Sequence, residues 1–126
     1  MSDIGSKLWF EKASDNLKWA EDNLKDNNFP LVCYLSQQAV ELALKGFLYS
    51  KGVVPPKSHL LVKLGEVCKE NGLDVTEIMV DLAVLSEYYL EARYPDELNR
   101  DLDNENLAKE ALSKAKKVVD VVSSSL

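Results

Sequence analysis

The sequence predicts an all-α fold, an up-and-down antiparallel bundle of about five helices. Apolar residues recur at alternating steps of three and four along most of the chain, which is the period of amphipathic helices. Only five glycines and four prolines occur, too few for a sandwich or barrel with many tight turns. A length of 126 residues suits one domain. We therefore predict a single helical domain over residues 1–126, with a core from about 8 to 122 and a frayed tail at 123–126.

The first two predicted helices have clear boundaries. The first runs from Ser6 to about Asp26. The second carries Pro30 in its first turn, where proline is tolerated, and runs to Ser50. Gly52 then suits a left-handed cap. This second helix is apolar around most of its circumference, so we predict that it is central or lies against another subunit.

Three shorter helices follow. Ser58 is the predicted cap of a third helix over residues 59–70. Asp74, with Glu77 three residues later, resembles a capping box and predicts a fourth helix that runs to about residue 91. Asn104 is the predicted start of the fifth helix.

Charge and cysteine content exclude several classes. The net charge of −6 disfavours indiscriminate binding to nucleic acid or acidic lipid. No apolar stretch is long enough for a membrane span and no secretion signal is evident, so we expect a soluble, cytoplasmic protein. Cys33 and Cys68 lack metal-ligand spacing and are predicted to be reduced, packed thiols. With one histidine in the chain, we expect neither a metal nor a cofactor.

Polar residues of the second helix form a stripe about 120° wide on a helical wheel. One interpretation is a solvated face, on which Glu41 and Lys45 form an ordinary i, i+4 ion pair. The other is that the stripe lines a groove or a dimer interface, where it binds a polar ligand or sets the subunit register. The polar stripe consists of Tyr34, Gln37, Gln38, Glu41, Lys45 and Tyr49.

Two further features carry possible chemistry. Arg93 and Arg100 are the only arginines among fifteen basic residues, and arginine suits bidentate phosphate contacts. The alternative is that each pairs with an acidic neighbour. His59 precedes a predicted helix, where it suits a general acid or base or a phosphate donor. Alternatively, it caps and packs the turn.

Three segments in order resemble the HEPN domain family: residues 34–46, Ser58-His59-Leu60, and residues 88–95, which include Arg93-Tyr94-Pro95. The resemblance extends from about residue 8 to 122. It implies an up-and-down helical bundle that forms a homodimer. It also implies pairing with a small nucleotidyltransferase in a toxin-antitoxin-like system of bacteria or archaea. Members of the family are nucleotide-binding modules or metal-independent ribonucleases.

The ribonuclease branch of that family carries an arginine followed after four to six residues by a histidine. This sequence departs from that pattern. The corresponding positions hold Leu98, Asn99 and Arg100 after Arg93, and Glu105, Asn106 and Leu107 after Arg100. The general acid or base of such a ribonuclease therefore has no obvious counterpart here.

The leading hypothesis is thus a non-catalytic, dimeric module that binds a nucleotide or phosphorylated ligand and acts with a nucleotidyltransferase partner. By resemblance, Lys45 and Arg93 meet phosphate, while Gln38 and Glu41 bond to base or sugar or close the dimer. His59 and Tyr94 complete the candidate contacts.

Two alternatives remain open. The first is a metal-independent ribonuclease in which Arg93 stabilises developing charge and His59 or Tyr94 transfers protons. RNA would then bind in a dimer cleft where Lys45, Lys57 and Arg100 add positive potential. The second alternative is a structural, partner-binding bundle. Ligand binding and RNA cleavage separate the three hypotheses.

Overall fold

The computed structural model describes the backbone of residues 3–93 and 102–126, and the side chains of residues 5–88 and 102–126. Within these ranges it consists of helices and connecting segments, without strands. The five helices are α1 (Asp3–Lys25), α2 (Phe29–Ser50), α3 (Leu61–Glu70), α4 (Met79–Arg93) and α5 (Glu105–Ser123). The prediction of an all-α bundle of about five helices is confirmed.

Helix α2 lies at the centre of the bundle. It packs against all four other described helices, and 12 of its 22 residues are buried. Gly46 allows α1 to approach closely, because a Cβ atom at this position would lie 2.8 Å from the Cβ atom of Trp9. A nearly apolar helix reaches this degree of burial because it has neighbours on most sides.

Several helix ends follow the sequence prediction. Gly52, two residues after the end of α2, has φ 75°, the left-handed conformation that glycine adopts without steric cost. Asn27, between α1 and α2, also has positive φ, at 62°. The side chain of Asn104 caps α5 by accepting a hydrogen bond from the backbone N–H of Leu107 at 3.0 Å.

Two predicted helix starts are wrong. Helix α3 begins at Leu61, and the Ser58 hydroxyl accepts from the Leu60 N–H at 3.1 Å, within the connection before the helix. Asp74 accepts from the Thr76 N–H at 3.0 Å, and α4 begins only at Met79. The Thr76 hydroxyl and N–H together lower the pKa of Asp74. In both cases a short polar side chain stabilises a local turn instead of a helix end.

Both cysteines are buried thiols that form no disulfide, as predicted. The Cys68 thiol donates to the carbonyl oxygen of Leu44 at 3.4 Å. Burial raises the pKa of this thiol to about 12. Among the described residues, none of the helices has the length and hydropathy that a bilayer span requires.

Helices α4 and α5 are joined through a buried carboxylate, Asp81. Its two oxygens lie 3.1 Å from the Lys117 ammonium and 3.8 Å from that of Lys114. Lys114 also lies 3.3 Å from Glu110 on its own helix. Asp81 is only 8% exposed. It is not an isolated buried charge, because lysines of the neighbouring helix compensate it.

Candidate functional site

The polar stripe of α2 is not a solvated face, because none of its six residues is exposed. Gln37 and Glu41 are buried, at 0% and 4% exposure. The other four, Tyr34, Gln38, Lys45 and Tyr49, are half-buried. The interpretation of the stripe as an ordinary solvent-facing surface is therefore wrong.

Glu41 is the centre of a polar cluster. Its carboxylate accepts from the Lys45 ammonium at 2.9 Å and from the Gln37 amide at 3.1 Å. The Nδ1 atom of His59 lies 3.0 and 3.1 Å from its two oxygens. These four residues, Gln37, Glu41, Lys45 and His59, are called the Glu41 cluster below. Its formation requires the connection after α2 to fold back along the helix, because His59 is 18 residues from Glu41.

The acceptor determines which ring nitrogen of His59 carries the proton. An ionised carboxylate only accepts, so Nδ1 is the protonated nitrogen, and Nε2 holds the lone pair of a neutral ring. The His59 side chain is 51% exposed, whereas that of Glu41 is 5% exposed. The cluster therefore holds one edge of the imidazole against buried polar groups while the side chain remains half in solvent.

Lys45 faces inwards. Its side chain is 14% exposed, and its ammonium bonds to Glu41. The pair has the i, i+4 spacing of a surface ion pair, but both partners are largely removed from water. Lys45 thus compensates the charge of Glu41 directly, and a phosphate contact would have to compete with this carboxylate.

Gln37 is a site residue that the sequence pattern placed in the stripe but did not single out. Its amide nitrogen donates to Glu41 and lies 3.5 Å from the carbonyl oxygen of His59. Its own Oε1 atom is buried without a hydrogen-bond partner in the described part of the chain, as is that of Gln38. The i, i+4 spacing between Gln37 and Glu41 was the available signal.

The connection that carries His59 is also attached to α4. The backbone N–H of Leu61 donates to the Ser86 hydroxyl at 2.7 Å. One turn further along α3, a Cβ atom at Gly65 would meet side chains of Leu82 and Met79. The two helices are therefore antiparallel, and this register directs the residues before Leu61 towards the carboxyl end of α4.

Arg93 is the last residue of α4. It lies two turns, about 10 Å, beyond Ser86 on the same helix. Its side chain lies outside the described residues, as do Tyr94 and Arg100 with the segment between them. Lys57 is exposed on the connection before His59.

The described residues contain no group of three or more His, Cys, Asp and Glu side chains arranged to hold a metal ion. The Glu41 cluster combines one carboxylate with a histidine, an amide and an ammonium. An ammonium is a donor only and does not coordinate metals while protonated. The contacts within this cluster are hydrogen bonds and an ion pair.

The fold and the three sequence segments define a class of protein. The HEPN domain model matches residues 6–125, and the chain belongs to the HEPN domain family.

Two relatives cover nearly the whole chain. The crystal structure of TT1696 from Thermus thermophilus is similar with a TM-score of 0.87 and 32% identity, over 96% of this chain and 98% of that one. A Methanocaldococcus jannaschii protein named "Putative toxin MJ1304" is 28% identical over 133 residues, which cover 93% of this chain and 85% of the relative.

Proposed function

We propose that the chain is a toxin-like HEPN module that binds a phosphate-bearing nucleotide through His59. In this proposal it acts as a homodimer together with a nucleotidyltransferase-family partner. The observation that carries the ligand part is the half-exposed imidazole of His59 on the buried Glu41 carboxylate. The name of the M. jannaschii relative supports the toxin-like part, and the family resemblance supports the partner.

The charges around His59 favour an anionic ligand. Glu41 is compensated by Lys45 at 2.9 Å, so a phosphate at the imidazole does not meet an unbalanced carboxylate. Lys57 and Lys63 lie on either side of His59 in sequence, Lys57 on the exposed connection. Ammonium and imidazole N–H groups make charge-assisted hydrogen bonds to phosphate oxygens. We therefore propose His59, Lys57 and Lys63 as phosphate contacts, with Arg93 approaching from the end of α4.

Nucleotide-dependent stabilisation tests this proposal. The melting temperature is measured with increasing concentrations of adenosine, guanosine, cytidine and uridine mono- and triphosphates. A ligand at a hundred times its Kd stabilises the native state by about 2.7 kcal/mol. His59→Ala should weaken binding, so that this increase is reached only at higher nucleotide concentrations. Lys69→Ala, at the far end of α3 and exposed, is the matched control and should preserve it. No increase with any of these nucleotides contradicts the ligand part of the proposal.

A metal-independent ribonuclease is the second candidate function, and one observation favours it. The carboxylate-imidazole pair, with Nδ1 held by Glu41, leaves Nε2 as the basic nitrogen of the neutral ring. In this mechanism Nε2 takes the proton of an RNA 2′-hydroxyl as the oxygen attacks the adjacent phosphorus. The bond to the 5′-oxygen breaks, and that oxygen takes a proton from an acid, for which Tyr94 is the candidate. Arg93 would stabilise the charge that develops on the phosphate.

RNA cleavage in the presence of EDTA separates the two candidate functions. The purified protein is compared with Arg93→Ala, His59→Ala and Tyr94→Phe. Cleavage that disappears in both Arg93→Ala and His59→Ala supports the ribonuclease. Absence of cleavage at high protein concentration, with nucleotide stabilisation intact, supports the binding module. If both assays are negative, the polar stripe is better explained as a partner interface.

A further inference from the structure

The start of α3 is capped from another helix. The first N–H groups of a helix have no partner within the helix. Here the N–H of Leu61 is satisfied by the hydroxyl of Ser86, at 2.7 Å and 25 residues away. Ser58, the nearest hydroxyl in sequence, bonds to Leu60 instead. Ser86 therefore joins the start of α3 to the middle of α4.

We infer that Ser86 is a positioning residue for the His59 site, an inference that rests on the proposed function. His59 lies two residues before Leu61. Its ring is held to α2 by Glu41, and the backbone that follows is held to α4 by Ser86. The imidazole is thus oriented between two helices, and loss of either hydrogen bond releases one side of it.

The connection before His59 also has hydrogen bonds of its own, but they are local or long. The Ser58 N–H donates to the Pro56 carbonyl oxygen at 2.9 Å, and the Gln37 amide nitrogen lies 3.5 Å from the His59 carbonyl oxygen. The Leu61 side chain is fully buried, so α3 remains packed when the Ser86 hydroxyl is removed. The expected effect of Ser86→Ala is a change in the path of the backbone at residues 58–61, with the bundle intact.

Ser86 also relates His59 to Arg93. Both Ser86 and Arg93 belong to α4, two turns apart, and a continuous helix keeps this spacing constant. A hydrogen bond from the start of α3 to Ser86 consequently sets how far the His59 backbone lies from the end of α4. A ligand that contacts both His59 and Arg93 requires that distance to be defined.

The chain has a single histidine, so its imidazole Hε1 proton gives one resolved NMR signal. We compare this signal at constant pH in the wild type, Ser86→Ala, Ser86→Thr and Ser58→Ala. Ser86→Ala should move or broaden the signal, Ser86→Thr should restore it because the hydroxyl is retained, and Ser58→Ala should change it less than Ser86→Ala. If alanine unfolds the protein, Ser86→Cys, which retains similar volume with a weak acceptor, takes its place.

A double-mutant cycle measures the functional effect. The nucleotide that stabilises the wild type most is titrated against Ser86→Ala, His59→Ala and the double variant. Loss of one hydrogen bond should weaken binding about threefold to tenfold in Ser86→Ala. Ser86→Ala should not weaken binding further in the His59→Ala background, because a residue that acts through His59 has nothing left to position.

The two assays distinguish failure of this inference from failure of the proposed function. An unchanged Hε1 signal in folded Ser86→Ala or Ser86→Cys overturns the inference, whatever the binding results are. An equal loss of binding with and without His59 also overturns it, because Ser86 would then act independently of the imidazole. If no nucleotide binds to the wild type, the proposed function fails, while the NMR comparison still decides whether Ser86 orients His59.

Discussion

Replacement of Glu41 by glutamine should strongly destabilise the protein. The substitution keeps the size of the side chain but leaves the Lys45 ammonium, at 14% exposure, without a charged partner. It also replaces a carboxylate that receives three donors with an amide that has one oxygen. Hydrogen bonds to charged groups contribute about 1.5 to 3 kcal/mol, and removal of one partner of a buried ion pair costs about 3 to 5 kcal/mol. Because Lys45 can extend to water, we expect a loss of about 3 kcal/mol, at the low end of that range.

An exposed pair with the same spacing is the matched control. Glu105 and Lys109 are also four residues apart, with a 2.8 Å contact, but their side chains are 55% and 58% exposed. Glu105→Gln should change the free energy of unfolding by less than about 1 kcal/mol. Both variants are measured by urea denaturation with linear extrapolation, and equal slopes are required before their stabilities are compared.

Burial, together with the further contacts of Glu41 with Gln37 and His59, accounts for the expected difference between these variants, because the spacing and the contact distance to lysine are nearly the same. Similar losses of stability in Glu41→Gln and Glu105→Gln would refute this explanation. A second check is Lys45→Met, which removes the other partner and leaves the buried carboxylate with its two remaining neighbours, Gln37 and His59. It should also destabilise the protein, by about 2 kcal/mol.

Three further outcomes are expected. Asp81→Asn should lower the free energy of unfolding by about 1 to 3 kcal/mol in urea denaturation, because its lysine partners lose a largely buried carboxylate. Glu21→Gln, which changes an exposed ion pair, is the control and should lower it by less than about 1 kcal/mol. Gly46→Ala should lower the melting temperature, since the 2.8 Å approach to Trp9 outweighs a helix-propensity gain of about 1 kcal/mol. Because burial raises the pKa of Cys68, this thiol ionises at lower pH in the unfolded chain than in the folded protein. Its contribution to stability is complete below its ordinary pKa of 9.0 and is lost as pH rises towards about 12. The free energy of unfolding, measured between about pH 7 and 11, should therefore fall at the alkaline end, and it should fall less in Cys68→Ala.

The sequence predicted helix ends well where the stabilising contact lies within the same turn of the chain. Gly52 follows the end of α2 because most other residues disfavour the left-handed conformation. The Asn104 side chain caps α5 by accepting a hydrogen bond from a backbone N–H three residues further on. Ser58 and Asp74 carry the same signal, yet both stabilise turns before the helix. A short polar side chain can bond to a nearby N–H in either setting, and the choice depends on packing elsewhere in the fold.

The candidate site was predictable only along one helix. The i, i+4 pair of Glu41 and Lys45 follows from helical spacing, and the structure contains it. The contact between His59 and Glu41 spans 18 residues, and the cap between Leu61 and Ser86 spans 25. These contacts depend on how the connection folds over α2 and on the antiparallel register of α3 and α4. Neither is encoded in a local pattern.

The polar stripe divides into an inner and an outer part, which allows the ligand and interface hypotheses to hold together. Glu41 already receives three donors, and a carboxylate offers about four lone-pair sites, so it has little capacity left for a nucleotide. Gln38 is half-buried, and its Oε1 has no partner within the described residues, the condition that a second subunit would relieve. We therefore expect Gln38→Glu, which would bring a carboxylate into the interface of the proposed homodimer, to weaken dimerisation about tenfold or more in sedimentation equilibrium. Nucleotide stabilisation should persist at protein concentrations that maintain the dimer. Loss of nucleotide binding without a change in assembly would instead make Gln38 a ligand contact.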